Sequence, residues 1–232
     1  MMPLSPYLRN FFSSCAHAVH EVCSVVVPPT CFMCDQLVQV KRGMGVCPEC
    51  WGTLPFWSKI DNPEPLLDDE IDSLQAPLLY EGVVKEAIHS FKFADKVEYA
   101  PIFSRLMHPQ LSKIEGALLL PVPLHARRLW HRQYNQAALL VTELAAQTDM
   151  SYNLFALKRV KHTEHQTGKT KKQRQKMMAS AFAVDAEKVA GKTVVLVDDI
   201  WTTGSTAKAC AKVLKAAGAK EVHVLTLAYV PL

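Results

Sequence analysis

Apolar and polar positions follow two patterns along this chain. Residues 11–27 place Phe11/Phe12, Cys15, Ala18/Val19, Val22 and Val25/Val26 at helical spacing. This predicts an N-terminal helical segment over 1–27, one face of which packs on the body of the protein or meets a membrane surface. From about Ala76 onward, short apolar runs alternate with helical periodicity. Strands are expected near Pro77–Tyr80, Ala117–Val122, Phe155–Arg159, Thr193–Val197 and Glu221–Ala228. Helices are expected near Val83–Phe91, Tyr99–Met107, Asn135–Gln147 and Ala207–Ala217. The alternation predicts an α/β fold, a mostly parallel sheet with helices on both faces. Ligands of such sheets bind beyond the carboxyl ends of the strands.

One run concentrates chemistry at such an end. Val194–Val197 read as a buried strand, with Asp198 and Asp199 expected at its end, followed by Thr202-Thr203-Gly204-Ser205-Thr206 opening a helix. Backbone N–H groups and hydroxyls at a helix N-terminus favour an anion. Two carboxylates fit a phosphate poorly but accept hydrogen bonds from vicinal ribose hydroxyls. A phosphate grip beside a diol grip describes a 5-phosphoribosyl group. A Thr/Ser helix cap accounts for the turn alone, but not for the acidic pair before it.

Cysteine spacing adds a second module, read over 28–60. Cys31-x-x-Cys34 and Cys47-x-x-Cys50 can close a tetrahedral four-sulfur zinc site with no open coordination position, hence a structural one. Two disulfides or a redox pair are the alternatives; two copies in one short module favour metal. With no convincing secretory signal, a cytoplasmic location and reduced thiols are expected. Cys15, Cys23 and Cys210 lie at helical apolar spacing and read as small core residues.

Charge divides the chain further. The net +4 hides a basic segment, residues 158–176, with eight Lys/Arg against Glu164 alone, whereas Asp61–Asp72 holds six acids and no base. The acidic stretch reads as a solvated linker over 61–75, leaving 76–232 as the main domain. The basic stretch reads as one concentrated element rather than a global polycation. Gly168-Lys169-Thr170 mimics the end of a nucleotide P-loop, but the glycine required five positions earlier is Thr163. No apolar run reaches the roughly 18 residues of a membrane-spanning helix.

The Asp198–Thr206 run resembles the phosphoribosyl-pyrophosphate (PRPP) motif of type I phosphoribosyltransferases. With the cysteine pairs upstream, the chain is similar to the ComF family (the ComFC/GntX group) over most of 28–232. Leu120-Pro121-Val122-Pro123-Leu124, Arg127-Arg128 and Arg132-Gln133-Tyr134-Asn135-Gln136 resemble that family's Pro-Val-Pro-Leu and Arg-Gly-Phe-Asn-Gln block, with Gln133 in place of glycine and Tyr134 in place of Phe. Lys92-Phe93 matches an upstream Lys-Phe pair. Arg159, Thr163, Gln166, Arg174 and Phe182 match a further pattern, with Met177 in place of Asn.

The resemblance implies a type I phosphoribosyltransferase fold, PRPP as ligand with Mg²⁺, and structural Zn²⁺. It implies that Asp198 and Asp199 hold the ribose as the catalytic pair and that Thr202, Thr203, Gly204, Ser205 and Thr206 hold the 5-phosphate. Arg127, Arg128, Arg132, Arg159 and Arg174 are candidates for the pyrophosphate, since guanidinium forks suit phosphate oxygens; the 158–176 loop is a candidate lid. The implied role is in DNA uptake, natural transformation or use of external DNA, with the competence machinery as partner. An active phosphoribosyltransferase of nucleotide metabolism is one alternative, although little chain follows the last strand to form a hood over an acceptor base. A non-catalytic accessory protein binding single-stranded DNA is another, with the basic loop on phosphates and Trp130, Tyr134 or Trp201 stacking on bases.

Overall fold

A computed structural model describes residues 30–34, 36–38, 45–57, 67, 69–114, 116–160 and 181–231. The helical segment read over 1–27 and most of the basic loop lie outside the described residues. The chain divides into two compact units, Met1–Thr53 and Leu54–Leu232. Among its described residues the first contains a helical turn, Pro48–Trp51, with Cys47 at its N-cap, and an isolated antiparallel bridge between Thr30 and Leu37.

The second unit is built on a parallel sheet. Its strands are β1 (Ser73–Gln75), β2 (Leu78–Leu79), β3 (Leu118–Pro121), β6 (Thr193–Trp201) and β7 (Glu221–Tyr229). The order is β1-β7-β6-β3, with β2 following β1 along the same edge of β7. Val194, Val195, Leu196 and Val197 are all fully buried, as a strand covered on both faces requires. Leu118, Leu120, Val194, Leu196, Val222 and Val224 share one core with α6 (Ser205–Ala216). The alternate side chains, Leu119, Val195 and Leu225, point to the opposite face. There α2 (Ala100–Met107) and α4 (Gln136–Thr148) pack on the sheet.

Several sequence expectations need correction. The β6 strand does not stop at Val197, because β7 pairs with it as far as Tyr229. Asp198 and Asp199 therefore lie inside the strand rather than after it. The stretch read as a solvated linker ends in β1, and Asp72 is anchored: its N–H donates to Val222 O, and its Oδ2 accepts from Val222 N at 2.7 Å and Lys215 Nζ at 2.8 Å. Residues 55–57, read as part of the cysteine module, join the second unit. Phe56 bridges Leu78, and Trp57 N donates to Pro77 O. The strand near Phe155–Arg159 narrows to β4 (Leu157–Arg159). It leaves the main sheet and forms an antiparallel pair with β5 (Phe182–Val184).

Two short helices escape the sequence pattern, α3 (Ala126–Arg132) and α5 (Ala186–Val189); the helix near Val83–Phe91 is α1 (Gly82–Phe93). Beyond α3, Gln133 takes a left-handed φ of +63° while its N–H donates to Leu129 O. This is the helix-terminating position that favours glycine. The turn geometry thus survives the loss of the family's glycine, with Gln133 carrying the strain. Gln133→Gly is expected to raise stability by up to about 1 kcal/mol, the left-handed penalty less the added freedom of the unfolded chain. A denaturation midpoint at or below that of the parent would contradict it.

Candidate phosphoribosyl site and cysteine centre

The β3–β6 ladder ends at Pro121↔Val197, after which Val122 N donates to Val197 O. Beyond it, Asn135 holds the departing chain: its Nδ2 donates to Val122 O and its Oδ1 accepts from Ala137 N, both at 3.1 Å, capping α4. The β3-side edge of β6 is thus open at the acidic pair. On the α6 face of β6 and β7 a cleft forms, lined by Asp198, Ile200, residues 201–207 and Thr226. The predicted Thr202, Thr203, Gly204, Ser205 and Thr206 are brought together with Asp198.

The loop is shaped by Gly204, not by a Thr/Ser cap. Gly204 is the N-cap of α6 with φ +70° and no side-chain capping bond. Thr203 Oγ1 and Ser205 Oγ lie 2.8 Å apart, and Ser205 N donates to Thr203 Oγ1. Lys208 N makes a helical bond to Gly204 O. The first N–H groups of a twelve-residue helix thus open toward the cleft, as an anion site requires.

Strand alternation sends the two carboxylates to opposite faces. Asp198 faces the cleft and α6. Burial, and then the neighbouring Asp199 charge, push its carboxyl up to about 7, although Asp199 N donates to Asp198 Oδ1. Asp199 is only 7% exposed and pairs with Lys92 Nζ at 2.8 Å.

Three of the predicted arginines gather near this end of the sheet. Arg132 Nη1 donates to Gln136 Oε1, and its guanidinium lies 4.7 Å over the Phe93 ring. Burial lowers the Arg132 pKa, Asp199 acts to raise it, and Arg128 lowers it again. Arg159 lies over Phe182 at 5.5 Å. Burial and then repulsion from Arg128 lower its pKa. Arg128 is thus near enough to press on both, as in a site shaped for an anion. Arg127 lies on α3, but its side chain is outside the described residues, as are Arg174 and the whole 161–180 stretch. Of the candidate stacking aromatics, Trp201 is 2% exposed and belongs to the core, and Tyr134 donates to Phe91 O at 2.8 Å. Trp130 stands 84% exposed on α3.

In the first unit, Cys31, Cys34, Cys47 and Cys50 bring their sulfurs within 4.8 Å of one another. A tetrahedral zinc with bonds of ~2.3 Å spaces its sulfurs about 3.8 Å apart; Cys34 and Cys47 Sγ are 3.7 Å apart. Cys47 N donates to Cys31 Sγ and Cys50 N to Cys47 Sγ, each at 3.4 Å, as N–H groups do in a thiolate knuckle. Burial opposes ionisation of Cys31, but the Cys47, Met33 and Cys34 N–H groups outweigh it and bring the thiol to about 7. The donor set and its spacing fit zinc.

Residues 135–231 match the family described as "Phosphoribosyl transferase domain". Competence protein F of Haemophilus influenzae is 41% identical over 112 residues, 47% of this chain and 49% of that one. The chain thus spans about half the length of that relative. The DNA utilization protein YhgH of Salmonella typhi is 28% identical over 209 residues, covering 85% of this chain and 88% of its own. Competence protein ComFC of Streptococcus pneumoniae is 25% identical over 199 residues, covering 85% and 86%. Among solved structures, an allosteric regulatory enzyme of purine biosynthesis aligns with a TM-score of 0.40 at 23% identity, over 56% of this chain and 25% of that one.

Residues 135–231 of the second unit thus match a phosphoribosyl transferase domain, carried on a mostly parallel sheet with helices. More narrowly, the chain is a homologue of the ComF, ComFC and YhgH proteins. No helix of the described residues is long and apolar enough to cross a membrane.

Proposed function

We propose that this protein binds PRPP, or a closely related phosphoribosyl ligand, and serves in the uptake or use of external DNA. The carrying observation is the cleft that joins Asp198 to the Thr202–Thr206 turn at the N-terminus of α6. The role in DNA use rests on the names of the relatives. The 5-phosphate sits on the α6 N-terminus and the Thr/Ser hydroxyls, and the ribose diol meets Asp198, with Asp199 held behind it on Lys92. Arg128, Arg132 and Arg159 face the diphosphate, and the family resemblance adds Arg127 and Arg174 to that role. If turnover occurs, the C1–O bond to diphosphate breaks as a bond to the acceptor forms. Positive charge then grows on the ribose beside the carboxylates, while the arginines hold the departing diphosphate. Mg²⁺, held with the ligand's diphosphate, supplies further charge neutralisation. Zn²⁺ at the four cysteines is structural, and the site of action is the cytoplasm.

Calorimetric titration with PRPP and Mg²⁺ tests this reading. The parent protein binds, and Asp198→Asn weakens binding at least about tenfold, the loss of hydrogen bonds to a charged group. Only the ionised carboxylate accepts from both hydroxyls. With Asp198 raised to about 7, affinity rises from pH 6 to pH 8, and Asp198→Asn loses most of that slope. What remains comes from the ligand's phosphate, whose second pKa is about 6. No binding by the parent protein removes the proposal.

Trp130 favours a second reading. It is 84% exposed on a helix that also carries Arg128 and Arg132, a combination suited to single-stranded DNA. A titration with single-stranded DNA that is flat across salt and unchanged by Trp130→Ala rejects it.

A further inference from the structure

The ion pair between Lys92 and Asp199 is almost out of water, with side chains 18% and 10% exposed. Secluding two charges this way costs desolvation that their attraction does not reliably return, so stability alone is a weak reason for the pair. Its surroundings are built. Lys92 occupies the last turn of α1, where a cation suits the helix dipole. Tyr134 Oη donates to Phe91 O at 2.8 Å, and Gln136, 2% exposed, directs Nε2 at Phe91 O and Lys92 O, each at 3.5 Å. Arg132 covers Phe93 on the other side of Lys92. The segment leading from the cleft into α4 thus grips α1 at the residues flanking Lys92, leaving its ammonium on Asp199.

We propose that Lys92 is a positioning residue of the phosphoribosyl site, which holds the Asp199 carboxylate fixed behind Asp198, the carboxylate open to the cleft. The proposal rests on the phosphoribosyl reading above. Adjacent carboxylates in a partly dry site resist sharing two negative charges. The Lys92 ammonium acts against that repulsion at Asp198 and favours its charged form when the ribose arrives. Without it, Asp199 loses its anchor and the Asp198 carboxyl, which Lys92 acts to lower, is pushed further up, so the diol acceptor is lost at neutral pH. Arg132, whose charge also acts on both carboxylates, faces the pair from α3 and does not replace a contact at 2.8 Å.

The test is PRPP–Mg²⁺ calorimetry from pH 6 to pH 8 on the full chain, with folding checked by circular dichroism. Lys92→Met is expected to weaken binding about tenfold or more at neutral pH and to move the rise in affinity to higher pH, which a merely structural residue would not do. Lys92→Arg recovers most of the affinity. Lys92→Gln, which keeps a hydrogen bond without the charge, falls between and serves if the Met variant misfolds. Lys92→Met/Asp199→Asn binds no more weakly than the worse single variant. Lys92 variants that bind within twofold of the parent with an unchanged pH profile overturn the assignment and leave PRPP binding standing, as do additive losses in the double variant. A parent protein that binds no PRPP removes both.

Discussion

Gly204→Ala is expected to dismantle the turn proposed to hold the 5-phosphate. A Cβ at Gly204 would lie 2.3 Å from Trp201 Cζ2, 2.6 Å from Cη2 and 2.9 Å from Cε2. Trp201 is 2% exposed within the core shared with α6, so the indole cannot yield without opening that core. The φ of +70° adds a left-handed penalty of roughly 1–2 kcal/mol, and overpacking adds about 1–3 kcal/mol. A loss of about 2–5 kcal/mol is expected in chemical denaturation, together with loss of PRPP binding, because the turn that aims Thr202–Thr206 is the part that must shift. Gly82 provides the control. It also has positive φ, at +49°, but a Cβ there meets nothing within 4 Å. Gly82→Ala should therefore cost only the left-handed penalty and leave binding intact. Equal losses at the two positions would refute the role of the Trp201 contact.

The residues of the candidate site were legible in the sequence; its geometry was only partly so. Four apolar residues followed by Asp-Asp and a Thr/Gly/Ser turn point to a strand and a helix-opening turn because each feature is local. The division of labour between Asp198 and Asp199 is not local. It depends on β6 continuing through the pair, which β7 enforces by pairing as far as Tyr229. Lys92 and Phe93 were noticeable only as a family resemblance, since no periodicity links α1 to β6. The β1 strand hides in an acidic stretch: three residues have no pattern of their own, and β7 with the Asp72–Lys215 contact holds them. In α3, Ala126–Arg132 is short and rich in arginine, so its apolar spacing is too brief to read. The fold class survived these omissions because it rests on the longest apolar runs, which form β6 and β7.

Removing the zinc proposed for the cysteine centre is expected to have the largest effect in the chain, and to confine it to the first unit. Among its described residues, only Cys31, Val46 and Cys47 are buried hydrophobic side chains. Those three side chains are little apolar surface to set against the ordering of the two cysteine turns, and small modules of this kind lean on metals or cross-links. Structural zinc supplies about 10–16 kcal/mol of folding free energy in small modules of this kind. The N–H···S bonds from Cys47 and Cys50 need thiolate acceptors to be worth their ordering cost, and a dication provides them. Protein prepared under reducing conditions should therefore carry one zinc per chain. A strong chelator, or Cys47→Ser, should expose the first unit to proteases while the sheet of the second unit keeps its denaturation midpoint. The second unit owes nothing to metal for its core, since Val194–Val197 and the layers around them are sealed by apolar contact alone. Mass spectrometry finding two disulfides and no zinc would reverse the assignment: the same four sulfurs would then be cross-links, and reduction rather than chelation would release the module.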